Sequence, residues 1–261
     1  PASLPPQDVV ITALKGHQIP ALADTLAALM APHARILPVV NGVPWWYPVP
    51  DGQGGVRGAE EVDPGGRLWQ KIGPDRAIGA IAYFGASSPE PGLISYDIKG
   101  YLDIGRLPGG DRDDVVRIAA LLESAGWMIR QTQPFQNALW AKMMGNCSMN
   151  AVSAITRTPN GINLKARPIY DFTGAIMEEV RAIATAEGAE IGMPTEKRLE
   201  LALRSPAFKS STLQDLEKGR PMEIEPIFAA TVTVAKARGV SCPMLELATE
   251  ILRHVERSRA L

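Results

Sequence analysis

The sequence predicts an α/β domain followed by an all-helical domain, with the boundary near residue 134. Short apolar, β-branched runs typical of buried strands recur as far as residue 131, and helical periodicity dominates after Pro134. The chain has 261 residues, of which 46% are hydrophobic, and this is enough for one large or two modest globular domains. We therefore expect an α/β domain at residues 1–134 and a helical domain at residues 135–261.

The α/β domain begins with a predicted strand–helix–strand unit. Residues 8–14 and 35–40 are typical of strands buried on both faces, and residues 19–31 between them have helical spacing. Such a unit is the crossover of a doubly wound sheet. The further predicted elements are strands at 77–86 and 93–104, a helix at 111–125 and a strand at 127–131.

The second domain contains most of the predicted helices. Their ranges are 136–156, 168–190, 195–204, 222–238 and 243–257. Glycine and proline residues separate these ranges, as expected where helices end or begin.

A glycine-rich stretch at residues 52–58 looks at first like a dinucleotide-binding fingerprint. However, Arg57 stands where the GxGxxG pattern requires its last glycine, and no strand is predicted before the stretch. We expect it to belong to a loop at residues 50–66.

Composition and charge exclude several classes of function. The net charge is −1, from 27 basic and 28 acidic residues, so the chain offers no electrostatic basis for binding nucleic acid or an acidic membrane. The three histidines are scattered and the two cysteines form no CxxC pair, so no metal site is expected. A reduced, cytoplasmic protein is the simplest interpretation. No apolar run approaches the ~18 residues that a membrane-spanning helix needs.

Lys142, Asn146 and Asn150 form the most informative polar pattern. Spaced four residues apart, they fall on one stripe about 80° wide on a largely apolar predicted helix. Asparagine is unfavourable inside helices because its amide competes for backbone hydrogen bonds. An ammonium and two amides in a cleft can polarise a carbonyl and hold a carboxylate or hydroxyl. An exposed polar face on an ordinary helix is the alternative, and it fits the same spacing.

Residues 210–225 form a second polar segment. Ser210, Ser211 and Thr212 can cap a short helix that ends near Gly219. The next helix then opens at Pro221, with two glutamates in its first turn. Capping and the helix dipole can account for these polar residues without any ligand.

Polar residues also follow the first two predicted strands. Residues 15–18 (Lys-Gly-His-Gln) come after one strand, and residues 41–43 (Asn-Gly-Val) come after the other. Ligands of open α/β sheets bind beyond the carboxyl ends of strands, so these residues are candidates for cofactor contact. Ordinary turn chemistry is the alternative, since Asn-Gly is a favoured turn pair.

Taken together, these motifs resemble the ketopantoate reductase (2-dehydropantoate 2-reductase) family from about Asp8 to the C-terminus. The most specific matches are the Trp-x-Lys-x-x-x-Asn-x-x-x-Asn helix at 140–150, Thr-Pro-Asn-Gly at 158–161 and the segment at 210–224. Residues 14–18 and 41–43 match motifs of the family's nucleotide domain. The resemblance implies a Rossmann-type nucleotide-binding domain followed by an all-helical C-terminal domain like that of 6-phosphogluconate dehydrogenase.

The resemblance also implies a reaction and roles for individual residues. The reaction is the NADPH-dependent reduction of 2-dehydropantoate to pantoate, in pantothenate and coenzyme A biosynthesis. Lys142 matches the family's general acid. The positions that match substrate-binding residues are Asn146, Asn150, Asn160, Ser211, Thr212, Leu213 and Gln214. The positions that match residues near the cofactor are Lys15, Asn41 and Glu223. Relatives are often dimers, so a homodimer is a further expectation.

Departures from the family pattern keep two alternatives open. The family begins with a strand–GxGxxG–helix unit, and nothing in these 261 residues corresponds to it. The expected Rossmann-type domain is therefore N-terminally truncated, the preference for NADP over NAD is not readable, and a truncated, non-catalytic binding module is one alternative. The bulky cluster Trp45-Trp46-Tyr47 is expected to line the cleft. It favours the other alternative, a paralogue that reduces a different 2-oxo acid.

Overall fold

The computed structural model describes residues 4–259, in which strands and three helices alternate as far as residue 131 and helices alone follow. The strands are β1 (Gln7–Thr12), β2 (Met30–Pro38), β3 (Val49–Pro50), β4 (Val56–Arg57), β5 (Gly79–Ala82), β6 (Gly85–Glu90), β7 (Leu93–Ile98), β8 (Leu102–Gly105) and β9 (Ile129–Gln131). The helices of the first half are α1 (Ala23–Leu29), α2 (Arg67–Lys71) and α3 (Asp113–Ser124). Those of the second half are α4 (Phe135–Gly145), α5 (Ala151–Thr156), α6 (Asn160–Asn163), α7 (Arg167–Ala186), α8 (Thr195–Leu203), α9 (Ser211–Glu217), α10 (Ala230–Ala237) and α11 (Pro243–Ser258).

Two sheets, with the strand orders β1-β2 and β5-β8-β9, are joined by isolated bridges into one arrangement, β1-β2-β5-β8-β9. β1 and β2 pair in parallel, which confirms the predicted strand–helix–strand crossover. Parallel bridges from Ile36 to Ala77 and from Val39 to Ala80 join β2 to β5. β8 is antiparallel to β5, and β9 is parallel to β8. The carboxyl ends of β1, β2 and β5 therefore lie at the same edge of the sheet.

Several predicted bounds differ from the structure for local reasons. The helix expected at 19–31 is reduced to α1, preceded by two 3₁₀ turns. It ends early because Pro32 disfavours helical backbone in the residue before it, and Met30 is already extended. The strands expected at 77–86 and 93–104 each divide in two, because β6 and β7 pair with each other as a separate antiparallel hairpin. The glycine-rich stretch at 52–58 does follow a short strand, β3, but it leads into the antiparallel strand β4 and not into a helix.

Two of the long predicted helices contain a π turn. One lies at Asn146–Asn150, between α4 and α5, and the other at Glu225–Ala229, before α10. The helix predicted at 136–156 is thus interrupted by a wider turn, and the helix predicted at 222–238 has such a turn at its beginning. None of the helices within residues 4–259 combines the length and the apolar composition needed to cross a lipid bilayer.

Helix α4 packs directly on the sheet through its first residue. The ring of Phe135 lies against Gly79 of β5 and Gly105 of β8, and a Cβ at either glycine would collide with it. Phe135 is 1% exposed. The two glycines therefore let α4 approach β5 more closely than any larger side chain would allow.

The cluster Trp45-Trp46-Tyr47 lies in the core between the sheet and the helices. The three residues are 2%, 5% and 1% exposed. The ring of Tyr47 meets Trp140 of α4 edge-on, with 5.9 Å between ring centroids. None of the three lines the cleft beyond the strand ends, so the expectation that they line the substrate cleft is wrong and they no longer favour a different substrate.

A buried polar network anchors Tyr47. Its hydroxyl donates to Glu187 Oε2 at 2.5 Å and accepts from Trp140 Nε1 at 3.0 Å. Arg238 Nε donates to the other oxygen of Glu187 at 2.5 Å. Burial, together with the charge of Glu187, raises the pKa of the Tyr47 hydroxyl far above its ordinary value. The hydroxyl therefore remains protonated and acts as a donor throughout the neutral pH range.

We expect Tyr47→Phe to lower the free energy of unfolding by about 1–3 kcal/mol, because Trp140 and Glu187 lose a buried partner. Urea unfolding followed by circular dichroism measures the change. Tyr170→Phe is the matched control, because Tyr170 packs on the core without a hydrogen bond from its hydroxyl to any described residue. Equal stabilities of the two variants would contradict the proposed anchoring role.

Candidate active site

A cleft of about 410 Å³ opens beyond the carboxyl ends of β1, β2 and β5 and faces α9. We call it the strand-end cleft. Its lining consists of Ala13, Leu14, Lys15, Val39, Val40, Asn41, Ala82, Phe84, Ala86, Ser87, Ser88, Ser211, Gln214, Asp215, Lys218, Arg220 and Glu223. This is the edge at which open α/β sheets bind their ligands.

Glu223 holds together the two loops that follow β1 and β2. The residue is 6% exposed. Its carboxylate accepts hydrogen bonds from the backbone N–H of Gly16 at 3.2 Å and from Asn41 Nδ2 at 3.4 Å. Asn41 and Glu223 are 182 positions apart in the sequence. The fold thus brings together two of the three residues predicted near the cofactor.

Lys15, the third of these residues, spans the cleft. Its Nζ lies 2.6 Å from Asp215 Oδ2 on α9 and 3.1 Å from the carbonyl oxygen of Pro221. The sequence analysis did not single out Asp215, whose position in a capped helix gave no signal of a distant partner. This ion pair connects the loop after β1 to the opposite wall.

Lys142 lies on α4 with its ammonium group behind the wall of the strand-end cleft. Nζ donates a hydrogen bond of 3.1 Å to the carbonyl oxygen of Ala82, which lines the cleft, and lies 4.8 Å from the centroid of the Tyr83 ring. Burial, together with the charge of Arg198, lowers the pKa of Lys142 below its ordinary value. Within the described part of the chain, no carboxylate forms an ion pair with this ammonium.

Asn146 and Asn150 lie in the π turn that follows α4. The regular helical spacing assumed for Lys142, Asn146 and Asn150 therefore does not hold beyond Asn146. Nδ2 of Asn146 is buried and has no hydrogen-bond partner in the described structure. Asn150 is 8% exposed, and α9 packs against the π turn and α5. The alternative of an exposed polar face is therefore wrong.

Helix α9 presents only part of its polar segment to the cleft. Ser210 caps it as predicted, with Oγ accepting from the backbone N–H of Leu213 at 3.2 Å. Ser211 and Gln214 line the cleft. Thr212 and Leu213 are 1% and 0% exposed. Their side chains belong to the core, so only their backbone is available for contact with a ligand.

Asn160 lies outside the strand-end cleft and lines a second cavity of about 250 Å³. We call it the Arg198 cavity. Its lining consists of Met149, Asn160, Arg198, Leu201, Ala202, Ser205 and Phe208. The sequence analysis did not identify Arg198. The signal in the sequence was slight, because an arginine in an amphipathic helix is most often exposed.

Comparison with known sequences agrees with this geometry. Residues 134–256 match the family profile described as "Ketopantoate reductase PanE/ApbA C terminal". A 2-dehydropantoate 2-reductase of Mesorhizobium japonicum is 32% identical over 260 residues, covering 97% of this chain and 78% of that protein.

Comparison with solved structures extends the match to the whole fold. A protein from Ralstonia solanacearum MolK2, provisionally described as a ketopantoate reductase, has a TM-score of 0.91 at 30% identity, covering 100% of this chain and 80% of that one. D-mandelate dehydrogenase in a ternary structure with NADH and anilino(oxo)acetate has a TM-score of 0.81 at 18% identity, covering 100% of this chain and 79% of that one, and shares the fold. The chain, a Rossmann-type domain followed by a helical domain, belongs to the ketopantoate reductase family of oxidoreductases.

Proposed function

We propose that this protein reduces 2-dehydropantoate to pantoate with NADPH as the hydride donor. The observation that carries the proposal is Lys142, an ammonium behind the wall of the strand-end cleft whose pKa is lowered and which no described carboxylate neutralises. Membership of the family supports the reaction class. The identity of the cofactor and that of the substrate are supported by the residues described in the next paragraphs.

The polar lining of the strand-end cleft supports the binding of the nicotinamide end of a dinucleotide. It lies beyond parallel strand ends, and its polar lining includes the Lys15 ammonium, the Asn41 amide and the buried Glu223 carboxylate. The ammonium and the amide would donate hydrogen bonds to the cofactor, and the carboxylate would accept one. When bound, the cofactor supplies a hydride to the substrate carbon.

Lys142 would act as the general acid. Negative charge grows on the carbonyl oxygen of a 2-oxo acid during its reduction, and the ammonium would hydrogen-bond this oxygen and transfer a proton to it. Its contacts with Ala82 and Tyr83 already fix the direction in which Nζ points. The lowered pKa makes the ammonium a stronger proton donor.

The remaining polar residues would position the substrate. Asn146 would use its unpartnered Nδ2, and Asn150 and Ser211 would add neutral hydrogen bonds beside α9. Gln214 would contribute its side chain, whereas Thr212 and Leu213 would act through the backbone. Asn160 would reach the substrate from the Arg198 cavity.

We propose a cytoplasmic homodimer for the assembled protein. Cys147 and Cys242 are free, buried thiols, which supports a reducing compartment. The dimer rests on the resemblance to the family, and light scattering on the purified protein tests it.

The reaction itself is tested with purified protein by following the loss of NADPH absorbance. We expect the highest kcat/KM for 2-dehydropantoate with NADPH, because the proposed general acid and the hydride donor then both act on one carbonyl. NADH and a panel of other 2-oxo acids are the comparisons. A faster reaction with another acid would overturn the substrate, and a faster reaction with NADH would overturn the cofactor.

We expect Lys142→Ala to reduce kcat by about 10²–10⁴-fold, because the developing alkoxide loses its proton donor. Steady-state kinetics with saturating NADPH measures the loss. Lys165→Ala is the matched control, since Lys165 is exposed between α6 and α7. Near-normal turnover of Lys142→Ala would rule out Lys142 as the acid.

The pH profile gives an independent test of the same residue. Reduction needs the protonated ammonium, so kcat should fall as pH rises through the pKa of Lys142. Because burial and the Arg198 charge lower this pKa, the fall should come at a lower pH than for an exposed lysine. The alkaline fall should be missing in Lys142→Ala, and its persistence in that variant would assign it to another group.

A further inference from the structure

We propose that Arg198 binds the carboxylate of the substrate and is the residue that makes this site select acids. The inference rests on the proposed function and deepens it, because it names the group that recognises the charged end of a 2-oxo acid. The argument uses the environment of Arg198, its position next to α4 and the charge of the surrounding site.

The guanidinium group of Arg198 is largely buried and has no partner. Its Nε is inaccessible to solvent and makes no hydrogen bond, and no described residue forms a hydrogen bond or ion pair with the rest of the group. Burial lowers the pKa of Arg198. A desolvated charge without a partner is costly, so such a group indicates a missing anion.

Two other arginines with low exposure are neutralised within the chain. Arg106, whose side chain is 8% exposed, pairs with Asp114, and Arg35 pairs with the same carboxylate at 2.5 Å. Arg198 differs from these two arginines, because no described carboxylate neutralises it.

Gly145 brings the guanidinium group against α4. A Cβ at residue 145 would collide with Nη2 of Arg198. Gly145 comes three residues after Lys142, about one helical turn, and directly before Asn146. The charge of Arg198 acts on Lys142. Gly145 therefore places the guanidinium of Arg198 against the turn of α4 between Lys142 and the unpartnered amide of Asn146.

A 2-oxo acid has the complementary arrangement of charge. Its carboxylate is bonded directly to the carbonyl carbon, so a carboxylate held by a guanidinium places the carbonyl oxygen within reach of a neighbouring ammonium. The planar guanidinium binds a carboxylate through two parallel hydrogen bonds, which also fixes its orientation. Met149, Leu201 and Ala202 line the same cavity and reduce the competition from water.

The test uses oxamate, which carries a carboxylate next to an amide carbonyl, and oxamide, its neutral counterpart. Calorimetry measures the Kd of each for the wild-type protein and for Arg198→Gln, with and without saturating NADPH. We expect Arg198→Gln to weaken oxamate binding about 10- to 100-fold, as for loss of hydrogen bonds to a charged group. Binding of oxamide should change little. Arg198→Lys should recover part of the oxamate affinity, because it keeps the charge but not the planar fork.

Two further variants separate recognition from structural effects. Gly145→Ala retains Arg198 but displaces its guanidinium from α4, and it should show the same selective loss of oxamate. Arg204→Gln, at the exposed end of α8, should bind oxamate as the wild type does. If Arg198→Gln fails to fold, Arg198→Lys and Gly145→Ala carry the comparison. Equal loss of both ligands, an unchanged oxamate Kd, or a wild-type protein without preference for oxamate would overturn the proposal.

The outcome is distinguishable from failure of the proposed function. If the wild type binds oxamate through Arg198 but reduces no 2-dehydropantoate, the proposed substrate fails and the carboxylate site stands. If it reduces 2-dehydropantoate and Arg198→Gln has an unchanged KM for it, the reaction stands and the role of Arg198 fails.

Discussion

The packing of Phe135 into the gap left by Gly79 and Gly105 determines where α4 runs relative to the sheet, and the candidate active site depends on it. Lys142 is seven residues beyond Phe135, or about 10 Å along a helix. Ala82 is three residues beyond Gly79, or about 10 Å along a strand. Because these two lengths are nearly equal, the ammonium of Lys142 lies next to the carbonyl oxygen of Ala82 at the end of β5. A steric contact at one end of α4 thereby places the polar contact at the other end.

Buried charges are neutralised in some parts of the molecule and are left without a partner in the candidate active site. In the α/β part, hydrogen bonds from Arg106 and Arg35 outweigh the effect of burial and hold the pKa of Asp114 below its ordinary value. At the base of the helical part, Glu187 is neutralised by Arg238. Around α4, two largely buried cations, Lys142 and Arg198, have no described acid that neutralises them. An anionic substrate would neutralise these two cations, as carboxylates of the chain neutralise other buried cations.

Hydrophobic periodicity predicted the helices whose environment is simplest. α3, α7 and α11 each bury one face, and their observed bounds lie within a few residues of the predicted ranges. Periodicity did not predict the direction of β8 or the separate hairpin of β6 and β7, because pairing partners are chosen by contacts between distant segments. The π turn after α4 was not predicted either, although Asn146 and Asn150 are both unfavourable inside a regular helix.

Sequence motifs identified polar residues of the site but not the direction in which each one faces. Large aromatic side chains suit both core and cleft, and the position of Tyr47 was decided by Glu187, 140 residues away. The same limit applies more strongly to Arg198. A sequence records which charges are present, whereas the functional signal here is a charge that no described residue neutralises. Such a signal emerges only when the surroundings of every buried charge are known, and for that reason it complements the motifs that identify the family.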